Sequence, residues 1–209
     1  MEVKNNNRYI DEGYIKFTIN WIKDEPIDGE LIKEVNAWRN TMYELGFIGF
    51  YKEAKVGYGN ISVKNSGEIV ISGTQTGHLP ILTNQHYTVI KEYNVAANTL
   101  TCKGPIKASS ESLTHAAVYE LNPKYQAVIH IHHKKMWEEL LYKIPTTAKN
   151  IPYGTPEMAY EIKRLFETTA LKKGKFLAMA GHDEGLIAFG KNLDEAGAVI
   201  KYYAEQINV

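Results

Sequence analysis

The sequence contains little cysteine, with Cys102 as the only such residue among 209. This thiol has no partner within the chain, so the sequence excludes an internal disulfide framework and a zinc site built from several thiolates. Any metal ion bound by this chain is therefore expected to be held by histidine or carboxylate side chains.

An excess of charge of either sign is also absent. Lysine and arginine number 24, aspartate and glutamate number 24, and no block of basic residues occurs. Binding to nucleic acid or to an anionic membrane normally depends on basic patches, so neither partner is expected. The longest apolar runs have the length of strands, and the N-terminus lacks the apolar stretch of a secretion signal. We therefore expect a soluble, cytoplasmic protein.

Linkers and internal repeats are missing as well. No stretch is rich enough in proline, glycine or serine to separate two domains, and the length fits one domain. Alternating apolar residues at 14–21 predict an added edge strand. We therefore expect residues 1–27 to form an accessory N-terminal arm and residues 28–209 to form the main domain.

Helical and strand patterns are interspersed along the chain. Helices are predicted after a cap at Asp28, after a cap at Ser109 or Ser110, from Thr155 to Gly174, and from about Asp194. The residues expected to face inward are Leu31, Val35, Trp38, Met42 and Leu45 in the first helix, and Ala198, Val199 and Tyr202 or Tyr203 in the last. Strands are predicted on both sides of a turn at residues 65–67 and at 87–93, 99–102, 127–132, 176–179 and 186–189. This order predicts an α/β fold.

His130 and His132 lie two residues apart in the predicted strand 127–132. Alternate residues of a strand project from the same face, so both imidazoles can reach one ion, while Ile131 points the other way. With seven histidines in the chain, such a pair arises by chance about one time in five, so the pair alone is a weak signal for zinc.

His182 strengthens the signal because it lies in a glycine-flanked loop, residues 181–185, between two predicted strands. Three neutral nitrogens would leave a fourth coordination position open. An open position distinguishes a catalytic zinc site from a closed structural one.

Glu111 lies in the first turn of the predicted second helix, where exposed amides and the helix dipole favour an anion. Acidic residues are common in first helical turns, so the residues alone favour a capping carboxylate over a catalytic one. His115 follows one turn later on the same face, and we expect it to form a local hydrogen bond rather than to bind metal.

Two glycine-containing loops, residues 57–62 and 71–77, combine glycine with small hydroxyl or amide side chains. Such loops can bind phosphate through backbone amides. Neither matches the P-loop or the Rossmann fingerprint, and each taken singly is more often a turn.

Taken together and in order, these segments resemble the class II aldolase/adducin family, a group that includes fuculose-phosphate aldolases and ribulose-phosphate 4-epimerases. The resemblance extends over roughly residues 28–205. The segments that carry it are Gly59-Asn60-Ile61-Ser62-Val63, Ile71-Ser72-Gly73-Thr74, Ser109-Ser110-Glu111 with His115, Asn122-Pro123 before residues 127–132, and Gly185-Leu186-Ile187-Ala188 before Leu193-Asp194-Glu195-Ala196.

The resemblance implies a three-layer α/β/α fold with a mixed, mostly antiparallel central sheet. It also implies a divalent metal, generally Zn²⁺ with Mn²⁺ as the alternative, and a homotetramer whose active sites lie between subunits. The implied function is that of an aldolase, a lyase that cleaves or forms a carbon–carbon bond in a small phosphorylated sugar or ketone through a metal-stabilised enediolate.

Carried over residue by residue, the resemblance makes His130, His132 and His182 the metal ligands and Glu111 the acid/base carboxylate. It assigns the binding of the substrate phosphate to Asn60, Thr74, Ser109 and Ser110. Phosphate binding would then fix the reacting carbon near the carboxylate.

The chain departs from the family pattern near the third histidine and after the first two. Family members commonly have histidine directly before glycine, whereas this chain has His182-Asp183-Glu184-Gly185. Glu184 therefore competes as third ligand, although His182 keeps the ligand set uniform and neutral and is preferred. A shorter segment follows His132, where a neighbouring subunit is expected to supply a proton-donating tyrosine. Tyr142 and Tyr153 are the candidate substitutes.

Other functions remain open on the sequence. Epimerisation, dehydration and decarboxylation share the enediolate step, and the sequence does not separate them from aldol cleavage. A non-catalytic assembly module like the adducin head domain is a rival, but it has no physical need for three converging histidines and a glutamate. A Schiff-base aldolase ranks last because no particular lysine lies in an apolar segment.

Overall fold

A computed structural model describes residues 12–27 and 29–209. The strands are β1 (Thr18–Lys23), β2 (Gly49–Tyr51), β3 (Val56–Tyr58), β4 (Asn60–Asn65), β5 (Glu68–Ser72), β6 (Tyr87–Asn94), β7 (Thr99–Gly104), β8 (Ala127–His132), β9 (Phe176–Ala178) and β10 (Gly185–Gly190). The helices are α1 (Gly29–Glu44), α2 (Ser112–Leu121), α3 (Lys134–Leu140), α4 (Pro156–Thr168), α5 (Leu171–Gly174) and α6 (Leu193–Gln206). None of the helices in these described ranges is long and apolar enough to cross a membrane.

The main sheet has eight strands in the order β1-β7-β6-β5-β4-β8-β10-β9. The pairing of β1 with β7 is parallel, and the other pairings in this sheet are antiparallel. Helices α1, α3 and α6 pack with Ile129 and Ile131 on one face, and α2 and α4 pack with Val128 on the other. This arrangement confirms the expected three-layer α/β/α fold with a mostly antiparallel sheet.

Helix α1 confirms the predicted stripe for Leu31, Val35, Trp38 and Met42, which belong to the core or pack against it, but not for Leu45. The buried residues are Ile32, Val35, Arg39 and Met42. Arg39 tolerates burial because its guanidinium donates hydrogen bonds to two carbonyl oxygens within residues 76–80. Leu45 is exposed because the helix ends at Glu44, before this side chain can face the core. The expected cap, Asp28, lies outside the described residues.

Helices α2 and α4 begin close to where the sequence predicts. At α2 the N-cap position is occupied by Glu111, so the predicted serine caps are wrong. The hydroxyl of Ser109 instead accepts the N–H of Glu111 within the turn that precedes the helix. Thr155 caps α4 as predicted, but this helix ends at Thr168, and residues 171–174 form the separate α5.

Helix α6 is present as predicted, and Val199 and Tyr203 pack against the core as expected, whereas the inward orientation expected for Ala198 is wrong. The buried residues are Leu193, Ala196, Gly197, Ile200 and Ala204. Ala198 and Tyr202 are exposed, while Val199 and Tyr203 are half-buried. The helix begins at Leu193, and burial of this first residue sets the phase of the residues that follow at helical spacing.

The predicted turn at residues 65–67 joins β4 to β5 as an antiparallel hairpin. Ser66 and Gly67 have φ of 50° and 87°, as a tight two-residue hairpin turn requires. Strands β6 and β7 also pair antiparallel, with an irregularity between Ile90 and Glu92. The antiparallel pairs expected in this part of the chain are therefore confirmed.

Strand β1 lies at the edge of the main sheet, as its alternating pattern predicts. It is in parallel register with β7, with Thr18 opposite Thr99. The indole N–H of Trp21 donates to the carbonyl of Gly104 at 2.9 Å, which fastens the strand to its neighbour. The division of the chain into an arm and a main domain at residue 27 stays a prediction.

Strands β2 and β3 form a separate hairpin that the sequence did not predict, since each has only three residues. This hairpin follows Phe47, whose carbonyl accepts the N–H of His132 at 2.9 Å. It carries the rings of Tyr51 and Tyr58 to within 6.2 and 5.5 Å of the His132 ring, between centroids. The hairpin therefore forms an aromatic wall at the end of β8.

Candidate active site

Strand β8 places two histidine side chains on the sheet face covered by α2 and α4. In register, His130 lies opposite Asn60 of β4, and His132 lies opposite Gly185 of β10. Both histidines are buried, and Ile131 packs into the core on the other face. The prediction that the strand brings both imidazoles to one side is confirmed.

His182 reaches the same point from the loop between β9 and β10. Its N–H donates to the carbonyl of Met179 at 3.2 Å, and its own carbonyl accepts the N–H of Gly185 at 3.0 Å. A Cβ at residue 185 would lie 2.7 Å from Cδ2 of His182, so the position requires glycine. Nε2 of His132 lies 3.0 Å from Nε2 of His130 and 3.1 Å from Nε2 of His182. We refer to these three residues as the histidine cluster.

Hydrogen bonds to the outer ring nitrogens determine which nitrogen faces the cluster. Nδ1 of His130 lies 3.1 Å from the carbonyl of Leu186, which can only accept, so this nitrogen carries the proton. The hydroxyl of Tyr51 donates its proton to Glu184 at 2.7 Å and lies 3.1 Å from Nδ1 of His132. Because the hydroxyl proton is already engaged, Nδ1 of His132 carries a proton and donates it to the hydroxyl oxygen. The Nε2 lone pairs of both histidines are left to point into the cluster.

Burial keeps the imidazoles of the cluster uncharged. It lowers the pKa of His130 to about 4 and the pKa values of His132 and His182 well below the usual value, because a buried imidazolium loses its hydration. The candidate ligand atoms lie within 4.8 Å of one another. A tetrahedral zinc ion with bonds of about 2.0–2.1 Å holds its nitrogens roughly 3.3 Å apart. The cluster therefore fits a divalent ion.

Glu111 is fully buried, and its side chain makes no capping hydrogen bond. Its Oε1 lies 3.6 Å from Nε2 of His182. The capping role that the residues alone favour is therefore wrong, because the side chain turns from the helix backbone to the histidine cluster. This position places a carboxylate beside any ligand that the cluster holds.

His115 does not reach the histidine cluster. Its Nδ1 lies 2.7 Å from the hydroxyl oxygen of Ser62, which is in turn 2.8 Å from the hydroxyl of Tyr119. Burial lowers the pKa of His115 well below its ordinary value. His115 thus forms a hydrogen bond as predicted, but its partner Ser62 lies in β4 and not nearby in the chain, so the expectation of a local bond is wrong. We refer to His115, Ser62 and Tyr119 as the His115 network.

The loops predicted to bind phosphate meet beside β8. Asn60 begins β4 opposite His130, and the N–H of Thr74 donates to the carbonyl of Lys107 at 3.0 Å. The second contact places the loop of Thr74 next to Ser109 and Ser110. Oδ1 of Asn60 is buried and has no hydrogen-bond partner within the described part of the chain. The loops are adjacent, and their phosphate-binding role stays a prediction.

Glu184, the competing third ligand, lies behind the histidine cluster. Its carboxylate accepts the hydroxyl of Tyr51, which contacts His132, so Glu184 reaches the cluster through this hydroxyl. Its φ of 69° fits a tight loop between β9 and β10. The side chain that joins the cluster from this loop is that of His182.

The two candidate tyrosines differ in exposure. Tyr153 is buried with its ring centroid 4.3 Å from that of His182, and its hydroxyl accepts the N–H of Tyr14 and donates to the carbonyl of the same residue. Tyr142 is 69% exposed. Tyr153 therefore packs within its own chain, whereas the hydroxyl of Tyr142 can reach another molecule.

Sequence reasoning missed two residues at this site. Glu12 is buried, and its Oε2 lies 3.2 Å from Nε2 of both His132 and His182. Tyr51 supports His132 from the β2–β3 hairpin. Glu12 is one of several acidic residues in the N-terminal segment, and Tyr51 lies in a strand too short for a periodic pattern, so neither carries a local signal.

The fold and the site define a three-layer α/β/α protein with a buried three-histidine centre suited to a divalent metal. The chain belongs to the family described as class II aldolase and adducin N-terminal domain, which matches residues 47–208. The resemblance inferred from the sequence motifs is thereby confirmed.

Several solved structures share this fold. They include the l-fuculose-1-phosphate aldolase from Thermus thermophilus, at 20% identity over 85% of this chain and 91% of that chain, with a TM-score of 0.62. A sugar-phosphate aldolase from Thermotoga maritima is 17% identical over 86% of this chain and 92% of that chain, with a TM-score of 0.65. YgbL from Escherichia coli is 19% identical over 86% of this chain and 87% of that chain, with a TM-score of 0.62. Its description offers aldolase, epimerase and decarboxylase as alternatives. A comparison with curated proteins gives no match. These identities show a shared fold alone.

Proposed function

We propose that the chain is a zinc-dependent lyase that cleaves or forms a carbon–carbon bond in a small phosphorylated sugar or ketone. The observation that carries the proposal is the meeting of three uncharged imidazoles beside the buried carboxylate of Glu111. Membership of the class II aldolase family supports a lyase. The names of structurally similar proteins support a sugar phosphate as substrate.

The histidine cluster is the proposed metal site, with Zn²⁺ as the first choice and Mn²⁺ as the alternative. A bound divalent ion would supply positive charge that stabilises the oxygen anion developing on the substrate. The carbonyl of Leu186 orients His130, and Tyr51 with Glu184 orients His132. Such outer hydrogen bonds fix the tautomer and increase the basicity of the ligating nitrogen.

Glu111 is the proposed acid/base residue. Its carboxylate lies beside the histidine cluster without capping its own helix, so its oxygens are directed to a substrate bound there. In the cleavage direction, Glu111 takes the proton of the substrate hydroxyl next to the breaking bond. The bond electrons remain on the carbon next to the carbonyl group, and Glu111 returns the proton to that carbon.

Asn60, Thr74, Ser109 and Ser110 are the proposed phosphate-binding residues. The loop of Thr74 adjoins that of Ser109 and Ser110, and Asn60 lies opposite His130, so a phosphate bound between them would lie next to the metal site. Burial of Asn60, Ser109 and Ser110 supports this role because each brings a polar group into a largely enclosed region. Phosphate binding would fix the reacting carbon near Glu111.

Epimerisation of a sugar phosphate is the second candidate. It uses the same bond cleavage but recombines the two fragments after one has turned over, and the description of YgbL offers this activity as an alternative. Dehydration and decarboxylation need the same stabilised anion. A non-catalytic assembly module, the rival of another class, has no use for the convergence of Glu111 on the histidine cluster.

We further propose a cytoplasmic homotetramer with active sites between subunits and no nucleic-acid or membrane partner. Exposed aromatic side chains at Tyr142, Tyr160 and Tyr202 support association, and the balanced charge supports the absence of polyanionic partners. Light scattering of the purified chain should give the mass of four subunits. A monomeric mass would contradict sites that are shared between subunits.

The test combines metal analysis with turnover. Elemental analysis of untagged protein should give roughly one zinc per chain, as expected for one three-histidine site. The protein should release an aldehyde from l-fuculose 1-phosphate or from another ketose phosphate in a panel. Product analysis separates cleavage from epimerisation. A chain that neither carries nor takes up metal would contradict the proposal.

Glu111→Gln tests the acid/base role in the same assays. This variant should retain zinc and lose turnover by on the order of 10²- to 10⁴-fold, because the amide cannot accept the proton. Glu157→Gln is the matched control, since Glu157 also lies in a first helical turn but is exposed. Full activity of Glu111→Gln would remove Glu111 from the mechanism.

A further inference from the structure

Glu12 places a carboxylate inside the histidine cluster from the N-terminal segment. The residue is buried, with only 4% of its surface exposed. Its Oε2 lies 3.2 Å from Nε2 of His132 and 3.2 Å from Nε2 of His182. One oxygen atom therefore contacts two of the three nitrogens that face the proposed metal position.

Backbone contacts of the two residues that follow Glu12 hold this carboxylate in place. The other oxygen of Glu12 accepts the N–H of Gly13 at 3.1 Å, and the carbonyl of Gly13 accepts the side-chain amide of Gln75 at 3.3 Å. Tyr14 pairs its N–H and its carbonyl with the hydroxyl of Tyr153, whose ring packs on His182. Residues 12–14 are thus fastened to the glycine-containing loop and to the wall of the cluster.

Gly13 is suited to this path for two reasons. Its φ is +73°, a conformation that side chains disfavour, and a Cβ there would lie 2.2 Å from the side-chain nitrogen of Gln75. Glycine therefore lets the chain pass close to the loop and turn Glu12 into the cluster.

We propose that Glu12 is a fourth protein ligand of the metal ion, so that the site contains three histidines and one carboxylate. This inference rests on the proposed metal site. In a tetrahedral zinc site, neighbouring ligand atoms are separated by roughly 3.3 Å. The contacts of Glu12 with His132 and His182 match this spacing. The carboxylate of Glu111 lies farther from His182, at 3.6 Å.

The assignment separates the tasks of the two buried glutamates. Glu12 binds the ion, which leaves the carboxylate of Glu111 unliganded for proton transfer, as an acid/base residue requires. It also closes the fourth coordination position that the sequence left open. A substrate oxygen must then either displace Glu12 or enter as a fifth ligand, which zinc accommodates.

The test measures metal binding directly, in the full chain. The dissociation constant of zinc is obtained by competition with a chromophoric chelator, and the visible absorption spectrum of the Co²⁺-loaded protein reports the ligand set. Glu12→Gln should weaken zinc binding by about 10- to 100-fold and change the Co²⁺ spectrum, because an anionic oxygen ligand is replaced by a neutral amide. Glu25→Gln, at an exposed residue near the end of the same N-terminal segment, is the matched control and should behave as the wild type.

The result that would overturn the inference is a Glu12→Gln protein with wild-type zinc affinity and an unchanged Co²⁺ spectrum. Glu12→Asp provides a second variant should the first fail to fold. It keeps the charge but withdraws the oxygen by one methylene, so its affinity should fall between those of the wild type and Glu12→Gln, and wild-type affinity would contradict the inference. A wild-type chain without zinc would contradict the proposed function itself, whereas loss of the Glu12 effect alone leaves the three-histidine site intact.

Discussion

The histidine cluster and the His115 network lie on the same side of the main sheet, but their ring nitrogens meet different groups. In the cluster, Nε2 atoms face one another at 3.0 and 3.1 Å. In the network, Nδ1 of His115 meets the hydroxyl of Ser62 at 2.7 Å. Burial lowers the pKa of the histidines in both regions.

This difference teaches that burial and an uncharged imidazole do not by themselves identify a metal site. A hydroxyl brings its own proton and satisfies a ring nitrogen within the core. Two nitrogen lone pairs that face each other need a cation or a proton between them. The convergence of acceptors therefore distinguishes the cluster from the network.

The largest expected effect is on zinc binding and comes from a substitution in the histidine cluster. His130→Ala removes one of the three nitrogens and should weaken zinc binding by more than about 100-fold, beyond the loss caused by removing an outer hydrogen-bond partner. Chelator competition measures the dissociation constant. Zinc affinity equal to that of the wild type would show that the ion is held elsewhere.

The next largest effect is on stability and comes from a substitution in the His115 network. His115→Ala should lower the free energy of unfolding by about 3 kcal/mol, because it leaves a cavity and removes a buried partner of Ser62. Urea unfolding of the metal-free proteins measures this loss. The zinc dissociation constant should change by less than about threefold, since His115 lies outside the cluster. A large loss of zinc affinity would join His115 to the metal site.

The stabilisation that zinc gives to the folded chain should also differ between variants of the two regions. Free zinc at about 100 times its dissociation constant should raise the free energy of unfolding by about 2.7 kcal/mol, because the ion binds the folded chain. The same gain is expected in His115→Ala, whereas His130→Ala should show little of it at the same zinc concentration. Equal gains in both variants would contradict the assignment of the two regions.

The smallest effect tests the support of His132. Tyr51→Phe removes the hydroxyl that holds Nδ1 of His132, and zinc binding should weaken by about tenfold. Tyr58→Phe is the matched control, because its ring also packs near His132 but its hydroxyl donates to the carbonyl of Gly46. Equal zinc affinities in the two variants would show that Tyr51 contributes only its ring.

The sequence predicts the parts of this site that depend on local periodicity. Strand alternation correctly places His130 and His132 on one face, and the glycine-flanked loop of His182 correctly indicates a projecting side chain. The three-layer fold follows from the order of helical and strand patterns together with the family motifs.

The remainder depends on tertiary contacts that local patterns do not encode. The position of Glu111 at the start of a helix is visible in the sequence, but the direction of its side chain is not. The inward orientation expected for Ala198 is wrong because the phase of an amphipathic helix depends on what packs against it. The partners of Glu12, His132 and His182, lie far along the chain, and only folding brings them to this residue.

The attachment of β1 to the edge of the main sheet gives the N-terminal segment a fixed anchor only a few residues after Glu12. A group on such a short tether is confined to a small volume, and its effective concentration is on the order of millimolar or higher. In the proposed site, a carboxylate displaced by substrate would remain within reach and recapture its position once the product leaves. The sheet edge would then set how quickly the metal centre closes between turnovers.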